Sequence, residues 1–460
     1  MKSTVHDVVD RGLCIGCGGC AARALSHDKL AMQLNAFGLY QPTLTGEHLN
    51  DDELDSSIAV CPFNPSPLES VKNESVIAPL CLDEPDKHND YLGSYREIFA
   101  GYSHHFRASA SSGGVATWLL TNLIDSNEID GVICVRPGES NTFEYSLVTS
   151  SDELEKTSKT KYYPVTLTDM LNFIDETEGR FAITGVPCFI KTIRLRQLQD
   201  STFNDKIAFT VGIFCGGLKT KGFTEYLIRK CGGDMKVSSQ VNYRTKNTQG
   251  QASDYAFSFY DNESSQQRSI KMRAVGDMWG TGLFKPLACD FCDDLCSELA
   301  DISLGDAWIQ PYNNDPGGTN IIITRSKQAS ALLQKGINSG ELFMDEITEE
   351  QACLSQKGNI NHRRKGLSHR LAVESLPDWL EKRVPVKKSR NMSFSLVQKQ
   401  RSKVRALSLS LWEQYHDAEQ FDHAIAGELK KLRFLTRINH LTRRDYFIET
   451  LTRAIQKIIK

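Results

Sequence analysis

At 460 residues, with 40% hydrophobic and 24% charged residues and a net charge of −3, the chain has the composition of an ordinary globular protein and a length that predicts two or three domains. No run approaches the roughly 18 consecutive apolar residues of a membrane span, and MKSTVHDVVD lacks the basic-then-apolar pattern of a secretory signal, so a cytoplasmic location is expected. In that reducing compartment the 13 cysteines are expected to bind metal where they cluster, rather than to form disulfides.

Residues 1–70 read as a small α+β, ferredoxin-like iron–sulfur module. Cys14, Cys17 and Cys20 form C-x2-C-x2-C in CIGCGGC, and Cys61 precedes Pro62. A cuboidal cluster needs three thiolates on one tight loop and a fourth from elsewhere, and Gly16, Gly18 and Gly19 let backbone N–H groups approach the sulfides. A two-cluster ferredoxin run would place a further cysteine at position 24, which is Ala24, so one cluster is expected here with Cys61 as its fourth ligand. The bland alternative is a zinc loop, although zinc sites usually pair two C-x2-C units. Short β-like runs such as FGLYQPTL surround the ligands, and the polar stretch 71–90 reads as a linker between modules.

Residues 91–345 alternate apolar strand-like runs with helical stretches, which predicts an α/β core with a mainly parallel sheet. SSGGVATWLLTNLID, CFIKTIRLRQL and KGFTEYLIRKCG read as helices. IDGVICV, RFAITGV, KIAFTVGIF, LADISLGD and TNIIITRS read as strands. The polar interval from Lys246 to Arg268 reads as a hairpin or a surface excursion. Ser111, Ser112, Gly113 and Gly114 stand directly before an amphipathic helix, where free N–H groups and the helix dipole suit a phosphate. Thr184, Gly185 and Pro187 precede Cys188 in a turn that could bring backbone against a planar ring. Cys188 and Cys215 sit at strand ends, where ligands of open α/β sheets collect, and Cys289 and Cys292 lie on one CDFC loop. These four make a second candidate thiolate site, with Cys296 in reserve and Asp306 beside it to orient a ligand or backbone. Cys81, Cys134, Cys231, Cys353 and Trp308 read as packing residues, and the adjacent His104 and His105 as non-ligands because they point in different directions.

Residues 346–460 read as a helical extension. From Pro385 onward, sixteen Lys/Arg face seven Asp/Glu. Leu432, Leu435, Ile438 and Leu441, then Phe447, Leu451, Ile455 and Ile458, recur at helical spacing, which predicts either a docked helix with a solvated basic face or a surface for an acidic partner or anionic lipid headgroups. A nucleic-acid partner is not expected.

The motifs SSGG, the TKYYP lysine Lys161, GVPC, FCGG, YRTK and the CxxC before ADISLGDAW, in that order and spacing, resemble the coenzyme F420 (deazaflavin) hydrogenase/dehydrogenase beta-subunit family from about Gly101 to Ser326, in which a ferredoxin module is a common N-terminal companion. The resemblance implies FAD and [4Fe–4S] clusters, two of them here, with Cys188, Cys215, Cys289 and Cys292 on the family's recurrent cysteines and Lys161 on its recurrent lysine. Such a lysine near the flavin's N1/C2 edge would stabilise the charge that develops on reduction. It also implies a ferredoxin-like electron donor or acceptor and an organic substrate, in many bacterial members in a polysaccharide-related setting. Departures are Ile309 after Trp308, where the family often has Gly, the additional Cys296, and the basic tail after Met392. The expected activity is an FAD-dependent iron–sulfur oxidoreductase, with Lys161 at its reactive ring. The rival is a non-catalytic electron-transfer or scaffold subunit that docks a partner enzyme through its basic tail.

Overall fold

Apolar runs bounded by Gly, Pro or Asp become strands. The computed structural model describes residues 4–23, 29–45, 50–64, 73–83, 85–138, 142–376, 380 and 382–442. Its main sheet has eight strands in the order Leu342–Glu346, Glu97–Ser103, Asn320–Thr324, Ile302–Asp306, Ile207–Ile213, Phe181–Gly185, Gly131–Pro137 and Phe143–Val148. The four strands from Ile302–Asp306 to Gly131–Pro137 run parallel, and the remaining pairings are antiparallel. The sheet is therefore mixed rather than mainly parallel. Short returns explain the difference, because Asn320–Thr324 and Phe143–Val148 each follow their neighbour without a crossover helix and must run back along it.

Helix Val115–Asp125 packs Trp118, Leu119 and Leu123 onto one face of the sheet. On the other side lies helix Pro187–Gln199, opened by Pro at its first turn, where the missing N–H is no loss. It is buried nearly all round, and its cations are each neutralised: Lys191 by Glu74 at 3.0 Å, Arg194 by Asp301 at 3.0 Å and Arg196 by Asp175 at 2.8 Å. The polar interval after Lys246 forms strands Ala256–Asp261 and Gln266–Lys271, a hairpin added to Ser238–Thr245.

The N-terminal region has helices Val5–Asp10, Gly19–Arg23 and Asp51–Ala59 and a hairpin of Leu30–Leu34 with Tyr40–Leu44. Val5, Leu13, Ile15 and Cys20 share one apolar core with Leu167, Ile183, Phe189 and Ile193, and Ala21 and Leu30 form a smaller cluster with Met32 and Leu44 within the region. The stretch 71–90, expected as a spacer, instead carries helix Glu74–Cys81 packed on Pro187–Gln199, with Glu74 buried against Lys191 and Arg383. Its apolar face, Ile77 and Ala78, was hidden from a reading by polarity alone. The segment after residue 346, read as a helical extension, is helical and packs on the core. Helices Glu349–Ser355 and Leu367–Val373 pack on the core, and Met392–Tyr415 with Ala418–Leu441 form a hairpin that seats Trp412 and Phe421 against Tyr226 and Phe284. Of the apolar positions expected there, Leu432 is buried, Leu435 and Ile438 are half-buried and Leu441 is exposed, whereas Phe447, Leu451, Ile455 and Ile458 lie outside the described residues.

Candidate functional site

The CIGCGGC loop enters helix Gly19–Arg23 with Gly16 at φ +73° and Gly18 at φ +82°. These left-handed turns point backbone N–H groups inward: Gly16 donates to Cys14, and Gly18 and Gly19 to Cys17. Burial pushes the Cys14 thiol up to about 12 and raises those of Cys17, Cys20 and Cys61. Charge on Cys17, Cys14 and Cys61 raises Cys20 further. Thiols this reluctant to ionise need a cation to do so, and a coordinating metal would supply it.

Cys188, Cys215, Cys289 and Cys292 form a second set. Burial raises all four thiols, and charge on Cys215, Cys292 and Cys289 raises Cys188 further. The Leu218 N–H donates to Cys289 Sγ at 3.3 Å. Cys296 stands apart: it is fully buried in a different core with Ile98 and Ala100, its Sγ facing the Tyr91 carbonyl. The two sets adjoin. The Thr192 Oγ1 lies 3.3 Å from Cys17 Sγ and 3.2 Å from the Cys188 carbonyl. Among the described residues no three His, Cys, Asp or Glu side chains converge as the ligands of a single ion would. Four thiolates that each take a different iron atom of a cuboidal cluster stand farther apart than that, and the inward N–H groups and mutual thiol charge suit such a cluster.

A cavity of about 530 Å³ opens beside Cys215, within the usual size range of small-molecule sites. Ser111, Ser112 and Gly114 line it, as do Ala116 and Thr117 from the first turn of Val115–Asp125, where N–H groups lack intrahelical partners. Gly114 stands at φ +77°, and a Cβ there would lie 2.6 Å from the Phe106 carbonyl carbon. Both serine hydroxyls are engaged, Ser111 accepting from the Thr160 N–H and Ser112 donating to the Thr319 carbonyl. Gly113 packs on Asn320 and the Gly101 carbonyl instead of lining the cavity, and Pro187 is buried at the start of its helix. Thr184, Gly185 and Lys161 do line it. Burial lowers the Lys161 ammonium to about 8, and its Nζ donates to the Thr157 carbonyl.

Asp306 holds Arg244 through two bonds of 2.8 and 3.1 Å, and that guanidinium lies over Tyr255 and Trp308. Arg244 belongs to the YRTK motif, yet only the pairing across the fold shows it at the cavity. Cys134 and Trp308, expected as packing, also line it. Lys219 was missed altogether. It is buried over Trp279, donates to the Met278 and Leu283 carbonyls, and is lowered by burial to about 7. Its apolar neighbours come from sequence far downstream, so no local signal marked it.

Two family models of the coenzyme F420 hydrogenase/dehydrogenase beta subunit match, the one for its N-terminal part over residues 98–172 and the one for its C-terminal part over residues 178–350. The chain is 23% identical over 288 residues to the coenzyme F420 hydrogenase subunit beta of Methanothermobacter thermautotrophicus, covering 60% of this chain and 92% of that one. It is 24% identical over 272 residues to the coenzyme F420 hydrogenase subunit beta of Methanosarcina barkeri, covering 56% of this chain and 84% of that one. With the coenzyme F420-dependent sulfite reductase of Methanocaldococcus jannaschii it shares 24% identity over 278 residues, 55% of this chain and 40% of that protein. These relatives are oxidoreductases or subunits of them. The chain belongs to the coenzyme F420 hydrogenase/dehydrogenase beta-subunit family.

Proposed function

We propose that this protein is an iron–sulfur flavoprotein oxidoreductase that relays electrons between a ferredoxin-like partner and an organic substrate. Cys14, Cys17, Cys20 and Cys61 would hold one [4Fe–4S] cluster, Cys188, Cys215, Cys289 and Cys292 a second, and the cavity FAD. When bound, the clusters carry single electrons and the flavin exchanges electrons in pairs. The observation that carries this reading is Thr192, whose hydroxyl touches Cys17 Sγ and the Cys188 carbonyl and so joins the two thiol sets beside a flavin-sized cavity.

The chain's own groups divide the remaining work. The first turn of Val115–Asp125 offers N–H groups to a phosphate. Lys161, held by the Thr157 carbonyl, would face the ring edge where negative charge develops. Arg244, fixed by Asp306 and stacked on Tyr255, would orient an anionic substrate group. Protein prepared without oxygen should be brown and contain iron, sulfide and about one flavin per chain; a colourless zinc protein would refute the assignment.

A second reading is supported by two relatives that are hydrogenase subunits. In it the chain is an electron-transfer subunit that docks its enzyme through the basic helical hairpin. Reduction of the bound flavin by a soluble donor in the isolated chain favours the first reading, and a flavin-free protein that copurifies with an enzyme favours the second.

A further inference from the structure

Arg363 lies in a single π turn, His362–Gly366, inserted between helices Lys357–Asn361 and Leu367–Val373. Such turns are rare and shift the side chains they carry relative to a regular helix. This one lies beyond residue 350, where the family models end. The Arg363 side chain is buried. Its Nε donates to the Asp294 carbonyl at 3.1 Å and its Nη2 to the Cys215 carbonyl, while the buried Nη1 finds no hydrogen-bond partner among the described residues.

Two other buried cations, Lys285 and Arg383, are neutralised by carboxylates, by Asp290 and by Glu298 at 2.6 Å. Among the described residues Arg363 forms no ion pair. An orphan N–H on an uncompensated guanidinium is costly in a protein interior unless an anion meets it.

We propose that Arg363 is a positioning residue that sets the reduction potential of the inner cluster, supplying the buried positive charge that favours its reduced form. The inference rests on the proposed function, since it requires a cluster on Cys188, Cys215, Cys289 and Cys292. A thiolate-ligated cluster is anionic and gains a further negative charge when reduced, so a fixed cation and a charged N–H donor stabilise the reduced state more than the oxidised one. The residue adjusts a centre shared with the family from a segment outside the family models.

The test is a redox titration of the full-length protein, followed by electron paramagnetic resonance, for wild type, R363Q and R363K, with iron and sulfide determined on each. R363Q is expected to weaken one-electron reduction of the inner cluster at least tenfold, a fall of about 59 mV, and to leave the outer cluster unchanged. R363K keeps the charge and is expected to hold the potential close to wild type. An unchanged potential in R363Q, or an equal fall in both variants, overturns the inference. Should R363Q fail to load the inner cluster, R363K decides: loading at near wild-type potential upholds the role of charge, and failure to load or a tenfold fall overturns it. Wild-type protein without an inner-cluster signal would instead remove the reading on which the inference stands.

Discussion

Gly18 shows how much one missing side chain decides. It stands at φ +82°, and a Cβ there would run into the hydroxyls of Thr166 and Thr168. G18A is expected to cost about 1–3 kcal/mol of backbone strain and to release the N-terminal iron while flavin is retained; unchanged iron and sulfide per chain would contradict this. Lys161 carries a pH dependence of definite sign. Burial lowers its ammonium from 10.5 to about 8, so between those values the unfolded chain binds more protons than the folded one. The contribution of Lys161 to stability is therefore expected to rise with pH across that window. Below about 8 the ammonium is charged in both states and the burial penalty is constant. Urea unfolding of wild type and K161M at either end of the window should show the stability difference between them shift in favour of the wild type as pH rises, because the other titrating groups are common to both. The same protonation predicts that FAD binding to the apoprotein weakens as pH climbs through 8, and that K161M is insensitive to the change.

Helices decide how the pieces meet. Glu74 on the short helix Glu74–Cys81 faces Lys191 at 3.0 Å, with the two side chains only 7% and 6% exposed. Removing one member of a buried pair typically costs about 3–5 kcal/mol, so E74A should destabilise the protein by that order in chemical denaturation. A loss below about 1 kcal/mol, the scale of an exposed pair, would mean that the stretch behaves as the spacer its polarity suggested. In the C-terminal hairpin, Trp412 packs on Tyr226 and Phe284 and donates to Glu225 Oε2 at 2.9 Å. Replacing such a tryptophan with alanine should cost about 3–5 kcal/mol; a wild-type unfolding midpoint for W412A would show that the C-terminal hairpin does not dock.

At the scale of the whole molecule, the segment outside the family models completes the site. The Ser355 Oγ and Gln356 Nε2 donate to the Asp306 carbonyl, and Arg363 reaches Cys215. A chain ended at residue 350 is therefore expected to be unable to retain FAD, read by flavin absorbance after gel filtration. Retention of flavin in that truncated chain would separate the extension from the site.

The sequence alone determined the local units, because their signals lie within a few residues of each other. Strand runs such as FAITG and NIIIT, the helix after Gly114, and the C-x2-C-x2-C and CDFC loops are set by periodicity, turn chemistry and ligand spacing. Only the tertiary structure decided which units meet. Electrostatic coupling among distant thiols, the Thr192 contact between the two sets, the displacement of Cys296 into another core, the Arg244–Asp306 pair and the burial of Lys219 all depend on packing between segments far apart in the chain. Burial and charge pairing are properties of the folded surroundings rather than of neighbours in sequence, and for that reason the candidate ligand residues are legible in the sequence while the buried groups packed around them are not.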